Sequence, residues 1–221
     1  PQVLGLVHED ALSTGDGAPH DGNAEGGQTT TVSGPAGSLS ALVNFGGDGP
    51  GDFGISGDLS SLNLQNLTSG GVPLAYAVVG NVLTATAGGE PIFTLTVNED
   101  GSWAFELQGP IDHPDADGND AEDLPGLGID FSGVLTATDG DGDPLVGGFP
   151  PGSFAVDVQD DVPVARPLQY DAEQNPIPLV LGEVDEDELA NGIGDGDGEG
   201  TSVSGGVGAL NALVDFGADG P

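Results

Sequence analysis

Cysteine, methionine and lysine are absent from the 221 residues, and Arg166 is the single basic side chain against 37 acidic ones. Without cysteine there can be no disulfide staple, no zinc–thiolate site and no thiol nucleophile. A formal net charge of −36 repels a phosphate backbone and an anionic lipid surface, which excludes nucleic-acid binding. No stretch approaches the roughly 18 apolar residues of a membrane span, so membrane insertion is not expected. No basic segment followed by an apolar core opens the chain, and Pro1 reads as an arbitrary point within a longer polypeptide. With 41 Gly and 17 Pro, long helices are not expected either.

What the chain does have is short apolar bursts at the period of two. Phe93, Leu95 and Val97 alternate with polar neighbours, as do Trp103, Phe105 and Leu107 beyond the tetrapeptide Asn98-Glu99-Asp100-Gly101. This pattern predicts an antiparallel hairpin with one buried face. A Gly80-Asn81 turn between VPLAYAVVG and VLTATAG predicts two further strands. Trp103 is expected in the core rather than on the surface as a sugar platform. The leucines at 59, 62, 64 and 67 fit a short helical turn or an irregular strand equally well. The hydrophobic fraction of 36% is below the usual range, but bursts this regular can close a sandwich core if ions offset the charge.

The acidic residues are also patterned. From Phe131 to Ala165 the sequence reads as strand, acidic glycine loop, strand and an Asp-Asp-Val-Pro stop, which predicts a closing hairpin. Asp139, Asp141 and Asp143 stand at i, i+2 and i+4 with glycines between, a spacing that lets one tight loop turn its carboxylates toward a point. Asp157, Asp160 and Asp161 follow, and carboxylates gathered at a loop and a strand end are costly unless a cation neutralises them. Ca2+ is the expected staple. In the loop Ile111–Leu124, Asp115, Asp117 and Asn119 occupy positions 1, 3 and 5 of an EF-hand-like pattern. Asp120 replaces its glycine and Gly126 its bidentate glutamate, so an EF-hand is excluded and another kind of calcium loop is not. His8, His20 and His113 are far apart, and none has a second histidine at helical spacing. A zinc or catalytic histidine is therefore not expected.

The chain repeats itself. Val3–Leu12 (VLGLVHEDAL) matches Val180–Leu189 (VLGEVDEDEL) at seven of ten positions, and Gly37–Pro50 matches Gly208–Pro221 at ten of fourteen. The offsets are 177 and 171, and the difference falls in the acidic glycine loop that each copy carries, Ser13–Thr30 and Ala190–Thr201, as surface connections tolerate. Residues 1–165 are therefore read as a complete unit, 166–181 as an extended proline-spaced connector, and 182–221 as the opening of a second unit.

With TATDGDGDP, VQDDVP, the Asp112-His113-Pro114 loop and the VDED restart in place, nearly the whole chain resembles the tandem repeats of giant, type I-secreted RTX-type bacterial adhesins. The family's C-terminal nonapeptide calcium repeats and secretion signal are not in this sequence. The Asp-Asp before proline also looks like the linker of cadherin-like domains, whose carboxylates share calcium ions between neighbours. The resemblance implies an all-β, Ig-like or cadherin-like antiparallel sandwich with long acidic Gly-rich loops, tandemly repeated and extracellular. By the same analogy Asp139, Asp141, Asp143, Asp160 and Asp161 would meet Glu186 and Asp187, while Glu9 and Asp10 would serve the junction with a preceding unit. The implied partners are neighbouring repeats of the same polypeptide or fibre, with surface glycans or other cells reached through domains outside this chain. A calcium-dependent, lectin-like module using Trp103 is the alternative. No nucleophile–base–orienter set appears, so an enzyme is not expected.

Overall fold

A computed structural model of the chain describes residues 2–13, 27–113, 128–177, 180–186, 189–193 and 200–218. Its strands, in chain order, begin with β1 (Val3–His8), β2 (Thr31–Gly34), β3 (Pro50–Ile55), β4 (Thr68–Ser69), β5 (Val72–Pro73) and β6 (Ala75–Val79). They continue with β7 (Val82–Ala87), β8 (Glu90–Val97), β9 (Trp103–Leu107), β10 (Ile129–Asp130), β11 (Leu135–Asp139) and β12 (Phe154–Gln159). Helix is limited here to short turns, at Glu9–Ala11, Ser38–Leu42, Ser60–Asn63 and Ser132–Val134. Two compact units result, Pro1–Val162 with Phe216–Gly220 and Pro163–Asp215 with Pro221. Among the described residues no helix is long and apolar enough to cross a membrane.

The first unit is an all-β sandwich. Its larger sheet has the order β2-β9-β8-β7-β6, and the alternating residues register as expected, Phe93 opposite Leu107, Leu95 opposite Phe105 and Val97 opposite Trp103. All six are buried, and each such side chain withdrawn from water contributes about 1.5–3 kcal/mol. The Gly80-Asn81 turn joins β6 to β7, with Gly80 at φ +62°. Facing this sheet is a smaller one of order β1-β12-β10, and the aromatic rings of the two interlock. Trp103 meets Phe154 edge-on at 5.0 Å, and Phe131 lies 5.8 Å from Phe93 and 5.9 Å from both Phe105 and Phe154. Trp103 is 4% exposed, which removes it as a sugar platform. Its indole sits over Gly34, where any Cβ would stand 2.1 Å from Nε1.

Three expectations need correction or completion. The segment Phe131–Ala165 is not a closing hairpin, because β11 pairs with β3 while β12 lies between β1 and β10. With both edges of β12 occupied, β11 has no edge there to join. The pair β1–β12 is moreover parallel, which requires a long crossover and leaves no local trace in sequence. The leucine-rich stretch forms the helical turn Ser60–Asn63, with Leu62 buried and Leu64 exposed.

The connector, finally, is not extended. In the second unit β13 (Val164–Ala165) is followed by β14 (Gln169–Tyr170) and β15 (Pro176–Ile177), which pair antiparallel. The Asp171 carboxylate accepts the N–H groups of Glu173 and Asn175, and Gln174 takes a left-handed conformation at φ +67°, so the backbone turns back on itself. A helical turn at Asn211–Leu213 precedes β16 (Val214–Asp215), which pairs with β13. Among its described residues the copy of β1 beginning at Val180 forms no strand, and Leu181 and Val184 are exposed.

Candidate functional site

The parallel register of β1 and β12 ends with His8 opposite Gln159. Both strands therefore deliver their next two residues, Glu9-Asp10 and Asp160-Asp161, to the same pole of the first unit. Glu9, Asp10 and Asp161 are buried there. No Lys or Arg occurs in residues 1–162 to neutralise them. Glu9 opens the turn Glu9–Ala11, and its Oε1 accepts the Ile111 N–H at 2.7 Å. Gln28 donates from Nε2 to Asp10.

That hydrogen bond to Ile111 fixes a third segment at the pole. One residue further on, Asp112 accepts hydrogen bonds from Thr68 Oγ1 at 2.5 Å and from the N–H groups of Gly70 and Gly71 at 2.7 and 2.8 Å. Burial pushes the Asp112 carboxyl up, and these hydrogen bonds outweigh it to hold the group below the ordinary range. With Ile111 and Asp112 both anchored just before it, His113 is held with Nδ1 3.3 Å from Asp160 Oδ1 and Nε2 3.0 Å from the Val158 carbonyl. Glu9, His113 and Asp160 each offer one donor atom within 4.8 Å of the others. Burial pushes the Asp160 carboxyl up, His113 pulls it down, and Asp10 adds to the rise, with a net shift upward.

Not every residue singled out in the sequence joins this group of three. Asp161 Oδ2 accepts the Ala218 N–H at 2.8 Å. Asp157 is half-buried on β12, against Gly128 and outside the group of three. Glu9 and Asp10, assigned by analogy to a junction with a preceding unit, lie at the same pole as Asp160 because β1 and β12 run the same way. Glu186 is exposed in the second unit. Asp115, Asp117, Asn119 and Asp187 lie outside the described residues.

The acidic glycine loop forms a separate group. Asp139 Oδ1 accepts the Asp143 N–H at 2.8 Å, and the Asp139 N–H donates to the Asp143 carbonyl, closing the loop on itself. Gly140 donates to the Gly49 carbonyl at 3.0 Å and lies so close to Asp48 that a Cβ would stand 2.3 Å from its backbone oxygen. That approach brings the Asp48 carboxylate to Asp139 and Asp141, with Asp143 outside the group. A hydrogen bond with Asp141, together with the Asp143 N–H, holds the Asp139 carboxyl below its ordinary range. Asp139 in turn pushes Asp141 above it. All the donors here are carboxylate oxygens, a set that fits Ca2+.

Sequence reasoning missed two members of these groups. Asp48 carried a usable signal, since it lies in a repeated FG-x-DGP segment and returns as Asp219. His113 carried none, because its companions come from strand ends far away in the chain.

Residues 7–146 match the family described as a domain of unknown function, DUF5801. The chain belongs to this family. The DUF5801 match includes Glu9, Asp10, Asp48, His113 and the Asp139–Asp143 loop, and ends before β12 with Asp160 and Asp161. No curated protein and no solved structure matches the chain.

Proposed function

We propose that this DUF5801 chain is a calcium-stabilised structural repeat of a long extracellular bacterial adhesin, stalk or fibre of the RTX type. Its partners are then neighbouring repeats of the same polypeptide, and its role is mechanical, not catalytic. The observation that carries this reading is the pole of the first unit, where Glu9, Asp10 and Asp161 are buried in a unit with no Lys or Arg in residues 1–162. Buried carboxylates repel one another and have lost their water, so the folded state needs cations that the chain itself does not provide. Calcium at this pole and at the Asp48–Asp139–Asp141 loop offsets the repulsion and ties chain segments together through oxygen ligands at about 2.3–2.6 Å. Because Asp161 immediately precedes Val162, where this segment of the unit ends, ions there stiffen the point at which the chain leaves the unit.

The test is thermal unfolding with and without chelator. Each calcium site held at about 100 times its Kd adds about 2.7 kcal/mol, so removal from two sites should lower the melting temperature by about 10 °C or more. An unchanged melting temperature in excess chelator would refute the reading.

A further inference from the structure

The pole contains one donor that a calcium site has little use for, the imidazole of His113. The side chain is 3% exposed. Its Nε2 faces the Val158 carbonyl at 3.0 Å, and because a carbonyl only accepts, Nε2 carries a hydrogen. In the neutral ring this leaves Nδ1 with a lone pair. Nδ1 has no hydrogen-bond partner and stands 3.3 Å from Asp160 Oδ1, with a Glu9 oxygen in the same group. A lone pair directed at carboxylate oxygens in a buried site is repulsive unless positive charge lies between them. One proton on Nδ1 would set a single charge against two carboxylates, whereas a divalent ion on the neutral ring brings the group to zero.

We infer that Glu9, His113 and Asp160 form a site for a divalent transition ion of the zinc class, distinct from the all-oxygen loop at Asp48, Asp139 and Asp141. This inference rests on the reading that cations neutralise the pole, and it adds a different class of ion at one corner. Imidazole with carboxylates is a donor set suited to zinc. For ligands about 2.0–2.1 Å from a tetrahedral ion, neighbouring donors stand about 3.3–3.4 Å apart. The His113 Nδ1–Asp160 Oδ1 separation of 3.3 Å matches that edge, and a small movement of Glu9 completes a face. Outer hydrogen bonds of the kind that orient metal ligands are also in place: His113 Nε2–H to the Val158 carbonyl, and the Ile111 N–H to Glu9 Oε1. Three protein donors leave the fourth position to water.

The experiment is a Zn2+ titration of the chelator-treated 221-residue chain in excess calcium, followed by calorimetry, with Trp103 emission reporting the fold. Zinc should bind at a single site, and His113→Gln should weaken it by more than about 10-fold while calcium-dependent melting persists. If His113→Gln does not fold, X-ray absorption of the zinc-loaded wild type decides: a histidine nitrogen at about 2.0–2.1 Å supports the site, and an oxygen-only shell overturns it. No zinc uptake in excess calcium, or equal zinc affinity in His113→Gln, would overturn the zinc site and leave the calcium reading intact. Zinc held through His113 in a protein whose melting ignores calcium would do the reverse.

Discussion

His8 and Gln159 stand opposite each other at the last position of a parallel strand pair, and from that point both strands continue directly into acidic pairs. Had β1 and β12 run antiparallel, Glu9-Asp10 and Asp160-Asp161 would lie at opposite ends of a strand about 20 Å long. The buried charge of the first unit is thus a consequence of strand direction.

Glu9 separates a hydrogen-bond effect from a charge effect. In chelator, Glu9→Ala leaves the Ile111 N–H without its acceptor and should cost about 1–3 kcal/mol in denaturant unfolding. Glu9→Gln still offers an oxygen and sheds a buried charge, so it should lose less. Equal losses would show that the hydrogen bond to Ile111 is not what Glu9 contributes.

Gly34 is required by Trp103. A Cβ at this position would lie 2.1 Å from Nε1, so Gly34→Ala should displace the indole from the core at a cost of about 1–3 kcal/mol. Trp103 is the sole tryptophan, and its emission should shift to the red in the variant. Wild-type stability with unshifted emission would contradict the packing described.

Asp161 reaches a segment distant in sequence through a hydrogen bond to the Ala218 N–H. Asp161→Ala should leave the core around Phe131 and Phe154 intact and make the Ala218 amide exchange faster with solvent. Protection equal to wild type would mean that other contacts hold residues 216–218.

Tyr76 should mark the alkaline limit of stability. Burial pushes its phenol up to about 12 from about 10, and its oxygen has no hydrogen-bond partner. Because the folded value is raised, this contribution is complete below pH about 10 and is lost as pH rises from about 10 to about 12. The ring is only half-buried, so solvent screening keeps the loss below about 2.7 kcal/mol. In Tyr170→Phe the phenolate absorbance reports Tyr76 alone, and a midpoint near 10 in the folded protein would refute the shift.

Local pattern alone determined the centre of the larger sheet. Phe93–Val97 and Trp103–Leu107 are close in sequence, alternate cleanly and are joined by a short turn, so their pairing is a local matter. The excess of carboxylates was equally legible, since it follows from composition. Which carboxylates meet was not. Asp139 and Asp160, 21 positions apart and read as one hairpin, fall into separate groups because β12 is enclosed by β1 and β10. His113 joins Glu9 and Asp160 across separations that no local period encodes.

The two near-identical decapeptides show the same division within one chain. VLGLVHEDAL supplies β1, with Glu9 0% exposed, because β12 offers it an edge and Ile111 an N–H. In VLGEVDEDEL the described residues form no strand, and Glu186 is exposed. By contrast Gly37 and Gly208 take the same left-handed conformation, at φ +79° and +77°, because a glycine-led helical turn is specified by its own few residues. A turn needs only its neighbours in sequence; a strand and a buried carboxylate need partners that only the tertiary fold brings to them.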